Sequence, residues 1–417
     1  MSWKFIDHGT APLRQPEFRN LWIANFVSNL GTIMHGAAAA WMMTTLTASP
    51  LLIALVQTAA SAPAFLLGVA GGTLADLVDR RRLLVGAQLW MMLTAALMAL
   101  AAWSGNLRPS GLLLLLLLLG LGSAIHLPGW QTMLQDLVTR ERMAAAVSLN
   151  SISFNLARAL GPALGGYLVA ALGAAAVFGL NALSFLAVLA ALAAIPRGMI
   201  RGAGGRATPE AMIRGLREGW EFLRKSPMLP GILVRTAWFM VTGSGVWALL
   251  PVVARDHLRT GATGYGILLS AFGVGSVAGA VVLPALRRRI PVDPMAGTCL
   301  LVFSACVVVA GQSRSMAVVT AAMFAAGIFW IMVAVNHNVS VQSNSPDWVR
   351  GRSISFYLLT FQGSLALGSW LAGWFAARAG TGAAMSLCGL LCATGVFLIP
   401  RFPLVNRSPE ETPAPKP

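Results

Sequence analysis

Long apolar stretches alternate with short polar ones along the 417 residues of the chain. A helix needs about 20 mostly apolar residues to cross the hydrocarbon core of a bilayer, and these stretches have that length. The pattern predicts twelve spans: 18–45, 50–75, 83–104, 110–134, 144–171, 173–195, 231–254, 263–286, 293–312, 315–341, 353–377 and 380–399. The predicted fold is therefore an all-α membrane protein with two six-helix bundles.

The polar stretch in the middle of the chain separates the two bundles. The predicted parts are a first bundle at 1–195, a linker at 196–230, a second bundle at 231–400 and a tail at 401–417. Within the linker, Met212, Leu216, Trp220 and Leu223 repeat at helical spacing among arginines. This spacing is typical of a basic amphipathic helix that lies on a membrane surface, and we interpret it as a tether between the bundles.

Composition narrows the class of protein. Apolar residues make up 57% of the chain and charged residues only 11%, whereas a soluble domain carries roughly 25% charged residues. A soluble enzyme, a disulfide scaffold and a disordered protein are excluded. The four cysteines stand inside apolar runs, without the spacing of disulfides or metal ligands: Cys299, Cys306, Cys388 and Cys392. We expect no metal, no cofactor and no enzymatic activity, since nucleophile–base clusters and phosphate-binding loops are missing from the sequence.

The distribution of positive charge predicts the topology. If the N-terminus is cytoplasmic, most of the 30 Lys and Arg residues fall in cytoplasmic segments. The outer loops then hold only Arg108, Arg255, Arg259, Arg314 and Arg378. This bias is the positive-inside rule. It predicts two cytoplasmic termini and accounts for the net charge of +16 without a nucleic-acid partner.

The two halves repeat several residues in the same order. Arg80-Arg81-Arg82 recurs as Arg287-Arg288-Arg289, and His126 and Asp136 recur as His337 and Asp347. Three glycines recur at a shift of 207: Gly161 and Gly166 of the fifth span as Gly368 and Gly373 of the eleventh, and Gly173, which opens the sixth span, as Gly380, which opens the twelfth. Parallel duplication of six-helix units is typical of transporters whose halves rock about a central cavity.

A candidate gating motif lies between the second and third spans. It consists of residues Gly72, Leu74, Asp76, Arg80 and Arg81. An Asp held at a helix end can lock the two halves together on one side only. The segment resembles the signature loop of the major facilitator superfamily, although Leu77 and Asp79 depart from the superfamily pattern. Leu283 stands where the second half would carry the matching Asp, so only one half has the complete motif.

A second motif lies in the fifth span and consists of Gly161, Pro162, Gly165 and Gly166. Proline kinks the helix, and the glycines allow another helix to approach closely. The motif resembles the antiporter motif of the same superfamily, with Ala157 in place of its first glycine. Further stretches resemble the branch that contains the enterobactin exporter and drug:proton antiporters, and the resemblance covers nearly the whole chain. They are Asp136–Arg142, Ser153–Arg158, Trp41, Trp220-Glu221-Phe222 and Arg350-Gly351-Arg352. This resemblance implies a monomeric secondary exporter of the bacterial inner membrane that exchanges a small molecule for protons.

Proton coupling usually needs a titratable group within the membrane, but every carboxylate of the chain lies away from the middle of a predicted span. The candidates are Arg158, His126, His337 and Asp136. Arg158 could attract an anionic substrate or hold a charge balance, or it could only bind backbone carbonyls of neighbouring helices. Histidines inside spans are also often purely structural. Arg235, near the start of the seventh span, is expected to extend to the membrane interface.

The superfamily resemblance implies that spans 1, 4, 7 and 10 line the cavity. Their polar and aromatic residues are the cavity candidates: Asn25, Asn29, His35, Trp130, Gln131, Trp238, Trp247, Trp330, Asn336 and Asn338. Such a lining suits an amphipathic organic substrate, such as a drug, siderophore or metabolite, although each Trp could instead serve as a packing anchor. Two alternatives stay open. One is a lipid or lysolipid flippase, favoured if spans 5 and 8 separate toward lipid, and the other is a transport-inactive membrane sensor.

Overall fold

The computed structural model describes residues 11–77, 79–196, 199 and 209–404, most of which are α-helical. Three long helices begin with Pro in the first turn, where the missing N–H costs nothing. The described residues contain fourteen α-helices: α1 (Pro16–Leu46), α2 (Pro50–Leu77), α3 (Arg80–Trp103), α4 (Pro109–Leu137), α5 (Met143–Leu172), α6 (Ala174–Ala194), α7 (Pro209–Lys225), α8 (Leu229–Gly243), α9 (Gly245–Val252), α10 (Ala262–Arg287), α11 (Val292–Gln312), α12 (Met316–Ser343), α13 (Asp347–Ala379) and α14 (Thr381–Thr394).

Each of the twelve predicted spans coincides with helical structure. Within the described part of the chain, nine helical segments are long and apolar enough to cross a membrane, which confirms the all-α membrane fold. The other three predicted spans correspond to α1, α5 and α13, with 31, 30 and 33 residues. These helices are long enough to cross but more polar, so their crossing stays a prediction. The seventh span comprises α8 and α9, which meet at Ser244, and ends in a π-helical turn at Val253–His257.

Helices α1–α6 pack on one another and form the first bundle, and α8–α14 form the second. Two long helix pairs join the bundles, α2 with α13 and α5 with α10. Both pairs meet at glycines. Gly373 of α13 lies against Ala54 of α2, and Gly166 of α5 lies against Ala262 of α10. The bundles therefore approach each other where a side chain larger than hydrogen would prevent contact.

The repeated glycines have matching positions in the two halves. Gly161 packs against α1 of its own bundle, and its counterpart Gly368 packs against α8 of its own bundle. One turn and a half later, Gly166 and Gly373 each face the opposite bundle. Gly173 and Gly380 follow α5 and α13 with φ of +82° and +87°, a conformation that favours glycine. Each repeated glycine thus has the same packing or backbone role in both halves of the chain.

The linker helix α7 contacts the second bundle. Leu223 is buried in a cluster with residues of α8 and α13, and Glu218 accepts a hydrogen bond from Arg352 at 2.9 Å. Gly219 lies against the Arg352 side chain, while Trp220 remains half exposed. The predicted helix is present, and one of its faces rests on the end of α13.

Candidate functional site

A cavity of about 370 Å³ lies between the two bundles. Its wall includes residues from α1, α2, α4 and α5 on one side and from α9, α10, α12 and α13 on the other. On α1, the lining residues Ile33, Gly36, Ala37 and Ala40 recur at helical spacing, so one stripe of that helix faces the cavity. The size falls within the range of small-molecule sites, which is roughly 300–1,000 Å³.

Arg158 of α5 supplies the charge of this cavity. Among the described residues that line the wall, no Asp, Glu, Lys or His accompanies it. The guanidinium lies 5.9 Å from the ring centroid of Phe154, one turn earlier on the same helix. Within the described part of the chain, it forms no hydrogen bond or ion pair. The predicted alternative, binding to backbone carbonyls of neighbouring helices, is therefore not observed.

Helices α5 and α10 are in backbone contact beside Arg158 and Pro162. A proline cannot donate a backbone hydrogen bond, so the carbonyl of residue 158, four positions earlier, loses its helical partner. Gly273 of α10 lies against that carbonyl, and a Cβ at this position would be 2.6 Å from its oxygen. Ser270, also in α10, accepts a hydrogen bond from the Ala163 amide at 2.8 Å. Backbone and small side chains thus form this contact between the bundles.

Aromatic side chains form the wall on the side of the second bundle. Trp330 of α12 is buried, and its ring lies 4.8 Å from Phe239 and 6.0 Å from Trp247. Trp247 also packs edge-on against Phe272 at 4.7 Å. Trp247 lies three residues after Ser244, where α8 ends and α9 begins. Backbone hydrogen bonds from Ser244 to Met240 and from Ala248 to Ser244 continue across this junction, so the indole reaches the cavity from a nearly continuous helix.

An arginine of the second bundle connects the bundles at one end of the cavity. Arg255, in the π-helical turn, donates hydrogen bonds to the carbonyls of Thr44 and Thr47 at 2.9 and 3.0 Å. These carbonyls end α1, so the cation also meets the negative end of the helix dipole. Asp256 accepts two hydrogen bonds from the same guanidinium, at 2.6 and 3.0 Å. We call this end, which holds the α1–α2 turn, the latch face.

The arginines of the gating motif bind within their own bundle. Arg80 pairs with Asp136 at 2.9 Å, and Arg81 donates to the carbonyls of Ile195 and Ala193 at the end of α6. Asp136, a coupling candidate, is therefore held in an ion pair that is largely buried. Three motif residues, Gly72, Leu74 and Asp76, lie outside the described residues as far as their side chains are concerned.

The glycines of the antiporter motif divide between two helices. Gly161 lies against Ile33 of α1, and a Cβ added to Gly165 would be 3.0 Å from Cα of Met34, also in α1. Gly166 instead faces α10 across the bundle interface. The motif thus packs α5 against its own bundle and against the opposite one.

The three histidines within spans lie away from the cavity lining. His35 is buried against Phe178 of α6, with ring centroids 4.5 Å apart. The His126 Nε2 atom is 2.9 Å from Nε2 of Gln88, and the His337 Nδ1 atom is 3.2 Å from the Thr236 hydroxyl. His126 and His337 therefore occupy different environments despite their matching positions in the sequence.

Of the predicted cavity residues, the structure brings Trp247 and Trp330 to the cavity. Asn25 and Trp130 instead contact Asn150 within the first bundle. Asn29 is half-buried one turn before the lining stripe of α1, and Asn336 is buried. Trp238 donates a hydrogen bond to the Leu391 carbonyl, and Asn338 accepts one from Gln342. The Gln131 side chain lies outside the described residues.

Sequence reasoning missed the contribution of spans 2, 8 and 11 to the cavity. Gln57 of α2, Tyr265 of α10 and Phe361 of α13 all line it. A lone amide or tyrosine in an otherwise apolar run is the sequence signal for these positions. The superfamily resemblance does not lead to them, because it implies a lining from spans 1, 4, 7 and 10.

Arg235 was expected to extend to the interface, and this prediction was wrong. Its side chain is 5% exposed and pairs with Asp293 of α11 at 2.6 Å. It also donates to the Phe402 carbonyl at 3.0 Å, and Asp293 accepts from the Leu404 amide. A carboxylate close enough to pair with Arg235 removes the need for its charge to reach water.

Comparison with known proteins identifies the family. The sequence profile of the transmembrane secretion effector family matches residues 8–415. The chain belongs to this family of the major facilitator superfamily. It is 26% identical to the multidrug efflux pump Tap of Mycolicibacterium fortuitum, over 87% of this chain and 90% of Tap. It is 27% identical to the enterobactin exporter EntS of Shigella boydii, over 64% of this chain and 62% of EntS.

Solved structures agree with the superfamily fold. A bacterial homologue of the human lysosomal transporter Spinster, in an inward-facing and occupied conformation, superposes with a TM-score of 0.75. The two chains are 14% identical, and the match covers 94% of this chain and 97% of the homologue. The protein is thus a multi-pass membrane transporter of small molecules and not an enzyme, as the sequence predicts.

Proposed function

We propose that the protein is a secondary exporter that moves a small amphipathic organic molecule out of the cytoplasm in exchange for protons. The cavity between the bundles is the observation that carries this proposal, because a substrate there contacts both halves at once. Transport follows if the halves close alternately on either side of the bound molecule. The latch face is then the outer face, and both termini are cytoplasmic in the bacterial inner membrane.

The chemistry of the wall supports an amphipathic substrate. Most lining residues are apolar, and the indoles of Trp247 and Trp330 offer flat surfaces. Arg158, Gln57 and Tyr265 supply a few polar contacts that can orient a bound molecule. Transport of drugs or siderophores agrees with the similarity to the multidrug efflux pump Tap and to the enterobactin exporter EntS.

Proton exchange rests on the antiporter motif and on four coupling candidates. Arg158 lines the cavity, and no Asp, Glu or His accompanies it among the described lining residues. Its part in the exchange would therefore be to hold an anionic substrate while the proton binds at another candidate. Asp136, His126 and His337 lie within the bundles and would act through helix packing. We propose to test Arg158 first among these candidates. Its side chain lines the cavity, where it can contact substrate, and its carbonyl lies at the interface between the bundles.

Inverted membrane vesicles test both parts of the proposal. Three fluorescent amphipathic dyes, one anionic, one neutral and one cationic, are offered to vesicles that contain the protein and to vesicles that lack it. We expect at least one dye to accumulate only with the protein, and the accumulation to stop when nigericin collapses the pH gradient. Equal accumulation in both vesicles contradicts export, and accumulation that ignores the gradient contradicts antiport.

The flippase alternative depended on the separation of spans 5 and 8 toward lipid. Those spans are α5 and α10, which are in backbone contact from Arg158 to Gly166. A lipid would have to enter past the other end of this pair. Scrambling of a fluorescent lysolipid in proteoliposomes, with no dye transport, would favour this alternative over the exporter.

A further inference from the structure

The described lining of the cavity carries a positive charge without a counter-charge. Arg158 is the charged residue of the described lining, and its guanidinium forms no ion pair within the described residues. A charge inside a membrane protein is costly unless it meets water, an opposite charge or a hydrogen-bonding partner. By contrast, the other arginine inside a span, Arg235, has the carboxylate of Asp293 at 2.6 Å. The fold thus compensates one intramembrane arginine and leaves the other facing the cavity.

The surroundings of Arg158 limit what can compensate it. Its own helix gives it only the ring of Phe154, at 5.9 Å. The facing walls present Gln57 of α2 and Tyr265 of α10, neither of which carries a charge at neutral pH. The Gln57 amide already donates a hydrogen bond to the Ser61 hydroxyl at 2.8 Å. Within the described lining, the Arg158 guanidinium is therefore the group best suited to binding a negative group, and Tyr265 adds a polar hydroxyl to the same wall.

We propose that the transported molecule is an amphipathic organic anion, with its negative group on Arg158 and its apolar body against Trp247 and Trp330. This inference rests on the proposed export function and specifies its substrate class. An arginine fork binds carboxylate, sulfonate or phosphate oxygens through two parallel hydrogen bonds. A cation would instead meet an uncompensated positive charge in a site from which water is partly excluded.

Binding of matched probes tests the charge preference without any need for transport. The full chain is placed in lipid nanodiscs, and 2-naphthoate, 2-naphthamide and 2-naphthylmethylammonium are measured by equilibrium dialysis against empty nanodiscs. The three probes share one aromatic body and differ in charge. We expect 2-naphthoate to bind about tenfold more tightly than 2-naphthamide, as one charge-assisted contact would give, and the ammonium probe to bind most weakly.

Two substitutions then assign the preference to Arg158. Arg158→Gln is expected to remove the tenfold difference, and Arg158→Lys to keep part of it, because Lys retains the charge but loses the two-pronged geometry. Arg378→Gln is the matched control, since Arg378 is exposed at the end of α13 and stacks on Trp374 at 3.8 Å. It should leave all three affinities unchanged. If Arg158→Gln fails to fold, as judged by its melting curve, Arg158→Lys carries the test.

Several results would overturn the inference. These are equal affinities for naphthoate and naphthamide, tightest binding of the ammonium probe, no naphthoate binding up to about 1 mM, or a preference that survives in Arg158→Gln. Failure of the export proposal is recognised separately. Export of only cationic or neutral dyes by the vesicles contradicts the anion class and keeps the exporter, whereas an intact naphthoate preference without any transport contradicts the exporter.

Discussion

The contact between Arg255 and the end of α1 gives the most direct test of alternating access. The guanidinium comes from the second bundle and the two carbonyls, of Thr44 and Thr47, from the first. If the latch face opens to release substrate, these hydrogen bonds must break. Arg255→Gln keeps a polar side chain but removes the charge and the fork, so it should weaken the closed state of the latch face selectively.

The size of the effect follows from the two short hydrogen bonds. A hydrogen bond to a charged group contributes about 1.5–3 kcal/mol when buried. The Arg255 side chain is 24% exposed, and water can replace part of each bond when the face opens. We therefore expect about 1.4–2.8 kcal/mol in total, which changes the ratio of open to closed molecules roughly ten- to a hundredfold.

Distance measurements between the two bundles can detect this change. Asn106 and Ser315 are exposed in the α3–α4 and α11–α12 connections, one in each bundle. A spin label on a cysteine at each position reports their separation by pulsed electron resonance. The native cysteines, all buried, should react slowly with the label. In Arg255→Gln the ratio of the longer-separation to the shorter-separation population should grow by the factor given above.

Arg378→Gln serves again as control, because it removes an exposed arginine that binds within its own helix, to the Trp374 carbonyl. Its distance distribution should match that of the wild type. If Arg255→Gln also matches the wild type, the contact does not hold the latch face closed. If both substitutions shift the distances equally, the effect is one of general surface charge and the reasoning from hydrogen bonds fails.

Two further substitutions test the packing of the bundles. Gly166→Ala places a methyl group against the backbone of α10 and should open the latch face in the same distance assay, whereas Gly36→Ala, whose Cβ meets nothing within 4 Å, should not. If the distances in Gly166→Ala matched those of the wild type, the glycine contact would not be needed to keep the latch face closed. Asp293→Asn leaves the buried charge of Arg235 unpaired and should destabilise the protein by about 3 kcal/mol in thermal melting. Glu221→Gln, which affects an exposed pair, should change stability by less than about 0.5 kcal/mol, and equal melting of the two variants would contradict the argument.

The helices could be predicted from the sequence because their cause is local. Length and polarity of each stretch decide whether it can cross a membrane, and every predicted span coincides with helical structure. The π-helical turn at the end of the seventh span was not predicted. It follows Pro251 in an apolar run, and hydropathy does not distinguish a π-helical turn from a regular helix.

The lining of the cavity could be predicted only in part, because it depends on how each helix is rotated about its axis. On α1, Ile33 faces the cavity while His35, two residues later, packs on α6. Hydropathy predicts that both residues belong to the same span, but it does not predict which neighbouring helix each side chain contacts. Arg235 and Asp293 are 58 positions apart, and Arg255 binds backbone carbonyls. Sequence carries no local signal for either contact.

Arg158 belongs both to the cavity and to the interface between the bundles. Its side chain lines the cavity, while its carbonyl, left without a helical partner by Pro162, lies against Gly273 of the opposite bundle. Any movement of α5 that separates the halves must therefore also move the guanidinium. An anion bound to it would sense that movement, because the oxygens it binds must keep the guanidinium geometry. A proline four residues after a cavity arginine thus gives a physical route by which the bound molecule and the closure of the bundles can influence each other.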